Sequence, residues 1–236
     1  MIQNLVNQSK IQHSFIHIDA TYKLNGLGLP LYVIGTENIN HCFRPVAFFL
    51  SSSESVNQVI LMLTKFKDFL QNHFSFDFQP KFILTENCDA LITGCGKSFN
   101  HQYVHLGCHF HITKKLREKS QASNMKEKKQ QLFYGFKVLK NSQSLEYFKK
   151  AWEIIKKYWK DHNIPEEFIK AFENEYGVAF PGKSRTNNSI ESGNNVLKNF
   201  FNRKSENIKL FIGKMREFIV EWSTQDKTSF PNQIEF

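Results

Sequence analysis

Phe15-Ile16-His17-Ile18-Asp19-Ala20-Thr21-Tyr22-Lys23 is an apolar run that ends on a carboxylate. Read as a strand, it places Ile16 and Ile18 on one face and Phe15, His17 and Asp19 on the other. A strand apolar on both faces is central in its sheet. Asp19 then sits where buried backbone meets a cleft, a position suited to a metal-binding carboxylate. The stretch alone is also satisfied by a strand that simply ends and opens a turn.

Downstream, Asn25-Gly26-Leu27-Gly28 is a turn signal. A second strand follows from Pro30 to Thr36 and a third from Arg44 to Leu50, so three sequential strands form an antiparallel meander. Ser55 and Gln58 have capping-box spacing. Behind them Val56, Val59, Ile60, Leu63, Phe66, Leu70 and Phe74 recur at helical intervals, with Lys65, Lys67, Asp68 and Gln71 on the other face. Lys81-Phe82-Ile83-Leu84-Thr85-Glu86 is a short apolar strand that again ends on a carboxylate. Asn87 and Asp89 suit a cap and first helical turn. Tyr103-Val104-His105-Leu106 is a further strand leading into Gly107-Cys108-His109-Phe110-His111. A strand that returns after a crossover helix lies parallel in the sheet.

The 236 residues suit one domain with an insertion, or two small ones. Hydrophobic residues at 41%, with 24 phenylalanines, suffice for a core. No apolar run reaches membrane-spanning length, and Met1 to Lys10 is too polar for a signal peptide. Cys42, Cys88, Cys95 and Cys108 lack disulfide-scaffold spacing, which fits a reducing, intracellular compartment. The net charge of +9 suggests a polyanionic partner. That charge is concentrated: residues 114–160 carry fourteen Lys/Arg against four Asp/Glu, while the flanking parts are near neutral.

This basic segment is helical. Leu145, Phe148, Trp152, Ile155 and Trp159 form an apolar stripe, and Lys149, Lys150, Lys156, Lys157 and Lys160 lie off it. These lysines suit either a solvated helical face or phosphate contact. Ser120 to Gln131 reads as a loop or solvated helix, and Pro165 opens a helix containing Phe168 and Phe172. Gly177 to Ser184 reads as a loop. Beyond it, Asn188 or Ser189 can cap a helix with Ile190, Leu197 and Phe201 on its apolar side. Glu191 falls in the first turn, where a carboxylate also complements the helix dipole by up to about 1 kcal/mol. There is no internal repeat, no Walker loop and no dinucleotide fingerprint, and no small-molecule cofactor is expected.

Four stretches taken together resemble the Mutator-like (MULE) transposase domain, of the ribonuclease-H-like superfamily. They are Asp19-Ala20-Thr21-Tyr22-Lys23; Phe82-Ile83-Leu84-Thr85-Glu86 followed by Ala90-Leu91; Cys108-x-x-His111 after a strand; and Thr186-Asn187-Asn188-x-x-Glu191-x-x-Asn194-x-x-Leu197-Lys198. The resemblance implies an α/β fold with a ribonuclease-H-like mixed sheet, a three-strand meander plus parallel strands. A helical insertion precedes the final catalytic helix. On this reading residues 1–112 hold the first part of the core, 113–184 the basic insertion and 185–236 the completing helices.

The resemblance also implies DNA cleavage and strand transfer at transposon ends by two divalent ions, Mg²⁺ or Mn²⁺, held by Asp19, Glu86 and Glu191. Hard cations of this kind prefer oxygen ligands. Lys149, Lys150, Lys156 and Lys157 of the insertion would then hold DNA phosphates. Cys108 and His111 would order a loop or contact the substrate strand; lacking a second matching pair, they are a weak signal for zinc, which is not expected here. Glu86 departs from the family's Asp, and Asp89, one helical turn on, is the substitute ligand if Glu86 does not reach. This departure leaves two expectations open: an active, impaired or host-recruited transposase core, or a non-catalytic nucleic-acid-binding or interaction protein that retains the fold. Only some thirteen residues precede the first strand, which leads us to expect a catalytic core without the family's separate DNA-binding module. The expected location is nuclear, with assembly as a homo-oligomer on DNA.

Overall fold

The computed structural model describes residues 15–37, 43–86, 88–121, 125–142, 144–176 and 188–224. The chain divides into two compact units, one of Met1–His105 with Asn187–Phe236 and the other of Leu106–Thr186.

In the first unit β1 (Phe15–Thr21), β2 (Leu31–Glu37) and β3 (Phe43–Leu50) form the expected antiparallel meander. The crossover helix α1 (Val56–Phe74) brings the chain back as β4 (Phe82–Thr85), which pairs in parallel with β1. With β5 (Val104–Gly107) the sheet order is β3-β2-β1-β4-β5, a mixed α/β arrangement with β1 at its centre. Ser55 caps α1 as its spacing predicts, accepting a hydrogen bond from the Gln58 amide. The turn after β1 is longer than a tight hairpin. Asn25 donates from Nδ2 to the Leu29 carbonyl at 2.8 Å and accepts the Leu29 amide at 2.9 Å. Its side chain therefore takes over pairing that the backbone of a two-residue turn would supply, and Gly28 provides the left-handed φ of 66°.

The alternation of β1 divides the sheet into two faces. Ile16 and Ile18 join Tyr32, Ile34 and Ile83 beneath Val59, Leu63 and Phe66 of α1 and Leu91 of α2 (Asp89–Ser98). On the other face Val33 and Phe43 pack with Ile190 of α7 (Asn188–Phe200). Beside them Leu24 and Leu31 meet Leu197, Phe201 and Phe211, the last from α8 (Ile208–Thr224). Each such side chain contributes about 1.5–3 kcal/mol when fully buried. Sheet residues between the two helical layers are thus fixed in register as well as buried.

The second unit is helical: α3 (His109–Lys119), a 3₁₀ turn (Lys126–Lys128), α4 (Lys129–Lys140), α5 (Leu145–Asp161) and α6 (Glu166–Tyr176). Phe148, Trp152, Ile155 and Trp159 are buried, and Trp152 stacks on Phe172 at 5.4 Å between ring centroids. Of the segment from Ser120 to Gln131, read as a loop or solvated helix, Lys126–Lys128 form the 3₁₀ turn and the end is the first turn of α4. The loop expected over Gly177 to Ser184 lies outside the described residues, as does Asn87. No helix among the described residues is long and apolar enough to cross a membrane.

Candidate metal centre

Asp19, near the C-terminal end of β1, and Glu86, directly after β4, come together because the two strands run side by side in parallel. Across the parallel pair Ile18 faces Thr85, so the next residue on each strand carries its side chain to the same side of the sheet. Neighbouring strands lie about 4.8 Å apart, within reach of two carboxylates. Each side chain offers a carboxylate oxygen, and these lie within 4.8 Å of one another. Asp19 is buried at 5% exposure. The extra methylene of Glu86 therefore does not keep its carboxylate from the site. Asp89 stands exposed as the first residue of α2, where a carboxylate complements the helix dipole.

Helix α7 packs on the sheet face that carries Asp19. Asn194, 6% exposed, donates from Nδ2 to Asp19 Oδ2 at 2.7 Å, across 175 positions of chain. The preceding residue makes this approach feasible. A Cβ at Gly193 would lie 2.5 Å from Cδ1 of Phe43 on β3, so glycine lets the helix backbone settle against the sheet. Glu191 lies one turn before Asn194 on the same helix; its side chain is outside the described residues. On the same strand face as Asp19, the buried His17 ring lies 3.3 Å from Glu37 Oε1 and edge-on to Phe15 and Phe43. Asn194 is the residue that sequence reasoning left without a role. Its signal was present, since it falls three positions after Glu191 in the fourth block.

A second layer holds the Glu86 backbone. Thr85 donates its single hydroxyl hydrogen to the Glu86 carbonyl at 2.7 Å, so at 2.8 Å it accepts from Nε2–H of His105. Burial pushes the His105 imidazole down to about 4, which keeps it neutral. Burial also raises the Tyr32 hydroxyl, reinforced by Glu54, Cys88 and Glu86. The Cys88 thiol rises chiefly by burial.

The remaining predicted residues belong to the second unit. Cys108 is buried immediately before α3. His111 lies in the first turn of that helix, its pKa lowered by burial and by Lys114 and Lys115. Lys149 and Lys157 are exposed on α5. Lys150 pairs with Glu146 at 2.8 Å on the surface. Lys156 is only 23% exposed, lying 3.0 Å from Glu173 and 3.1 Å from Glu153 and over the Trp152 ring.

No curated protein matches the chain. Residues 15–115, less than half of its length, match the family model of the MULE transposase domain. The matched stretch contains both carboxylates and ends before α7, and it supports a Mutator-like transposase domain within this chain.

Proposed function

We propose that the chain is the catalytic core of a Mutator-like transposase of ribonuclease-H-like architecture, cleaving DNA and transferring strands at transposon ends. One observation carries this reading: Asp19 and Glu86, 67 residues apart in sequence, converge at the ends of adjacent parallel strands. Two carboxylates at that separation repel each other, and a divalent cation between them converts repulsion into chelation. A pair of carboxylates of this kind suits a hard divalent cation such as Mg²⁺ or Mn²⁺.

Asp19, which is buried, would serve as the bridging metal ligand. Glu86 and Glu191 would complete the site for two ions. When bound, such ions activate a water or DNA 3′-hydroxyl and stabilise the leaving oxygen. The chain's own contribution is to hold its carboxylates in place. Strand pairing holds Asp19 opposite Val33, Glu86 follows directly on β4, and Glu191 belongs to α7. Cys108 and His111 order the segment after β5 or meet the substrate strand. Lys149 and Lys157, with Lys150 and Lys156 beside them, hold phosphates. The working location is the nucleus, and assembly is as a homo-oligomer on DNA.

The test is a plasmid-nicking assay on the purified chain with Mg²⁺, Mn²⁺ or EDTA. Cleavage that needs the metal and disappears in Asp19→Ala, Glu86→Gln and Glu191→Gln supports the reading. Absence of metal-dependent cleavage, with DNA binding indifferent to EDTA and to those substitutions, overturns it in favour of a non-catalytic binder.

A further inference from the structure

We propose that Asn194 is a positioning residue that aims the Asp19 carboxylate at its metal, an inference that rests on the metal-centre reading above. Both partners are more than nine-tenths buried, and the 2.7 Å bond is their direct contact. A carboxylate that is buried but not oriented can rotate about its Cβ–Cγ bond. Once Oδ2 accepts from Asn194, rotation would break a charge-assisted hydrogen bond, so the remaining lone pairs keep one direction.

Two features mark this contact as more than a packing accident. Asn194 Oδ1 is buried with no hydrogen-bond partner among the described residues. A buried amide oxygen without a partner costs folding free energy that a leucine of similar size would not incur. The donor end is therefore the reason for an amide at this position. Its orientation is also determined, because the flipped amide would set oxygen against oxygen. The second feature is Gly193, whose missing side chain allows the approach to Phe43 that brings the next residue within reach.

The experiment measures Mn²⁺ binding to the full chain by isothermal titration calorimetry for wild type, Asp19→Ala and Asn194→Leu. A double-mutant cycle between Asp19→Ala and Asn194→Leu is run alongside by urea unfolding in EDTA. Loss of an outer partner of a ligand lowers metal affinity about 10–100-fold. The expected result is that loss in Asn194→Leu, abolished binding in Asp19→Ala, and non-additive effects on the folding equilibrium without metal. Asn194→Ala, made in parallel, carries the same readings if leucine does not fit. Wild-type Mn²⁺ affinity in a folded Asn194 variant overturns the proposal even if the two residues are coupled in urea. Mn²⁺ binding absent from wild type, or unchanged in Asp19→Ala, sinks the metal-centre reading itself and the proposal with it.

Discussion

Ile18 faces Thr85 across β1 and β4 in parallel register, so the carboxylates that follow them start from neighbouring backbone positions. From there only side-chain length decides where each oxygen ends. Glu86→Asp shortens one arm by a methylene, and a displacement of about 1 Å costs on the order of 100-fold in rate. Metal-dependent nicking by Glu86→Asp is expected to fall by about that factor, measured as initial rates on supercoiled plasmid. A variant as fast as wild type would show that the longer side chain gains nothing here.

Gly193 sits where a β-carbon would press on Phe43. Gly193→Ala gains about 1 kcal/mol of helix propensity but meets an overpacking cost of about 1–3 kcal/mol. The expected net loss is about 0–2 kcal/mol in urea unfolding. Combining it with Phe43→Leu, which relieves the contact, recovers part of that loss.

His105 makes stability depend on pH. Its folded pKa of about 4 lies below the ordinary 6.5, so on acidification the unfolded chain takes up a proton before the native one does. The contribution is complete above about pH 6.5 and is lost as pH falls towards 4. At about 1.4 kcal/mol per pKa unit the full shift amounts to roughly 3–4 kcal/mol. Urea midpoints between pH 7.5 and 4.5 in EDTA are expected to fall in wild type and to flatten in His105→Asn.

The lysines of α5 divide by what already neutralises them. Lys149 and Lys157 are exposed, whereas Lys156 is occupied by Glu173 and Glu153. Replacing Lys149 or Lys157 with Ala is expected to weaken binding to a DNA duplex and lower the salt slope by about 1 each. Lys156→Ala is expected to leave the slope unchanged and lower the thermal midpoint of the second unit. Fluorescence anisotropy across a KCl series separates the two cases.

The strands, α1 and the parallel return were legible in the sequence because alternation, a capping box and a crossover each leave a local mark. The paired strand-end carboxylates were legible for the same reason. Their mutual register was not, because nothing in either strand alone states that Ile18 will face Thr85. Asn194 was hidden differently. A polar residue on a helix reads as solvent-facing unless the packing of its neighbour is known, and Gly193 shows its purpose only beside Phe43. The Asn25 loop misled because Asn-Gly marks a tight turn, yet here the asparagine side chain bonds across a wider one.

The first unit is interrupted in sequence: β1 to β4 emerge early, while the helices that cover their Asp19 face lie beyond residue 186. During synthesis the growing polypeptide must carry a half-clothed sheet, with Val33 and Leu31 bare to water, until those last helices leave the ribosome. Fragments ending near position 180 should therefore clump or recruit chaperones, and a separately supplied C-terminal piece should rescue their solubility.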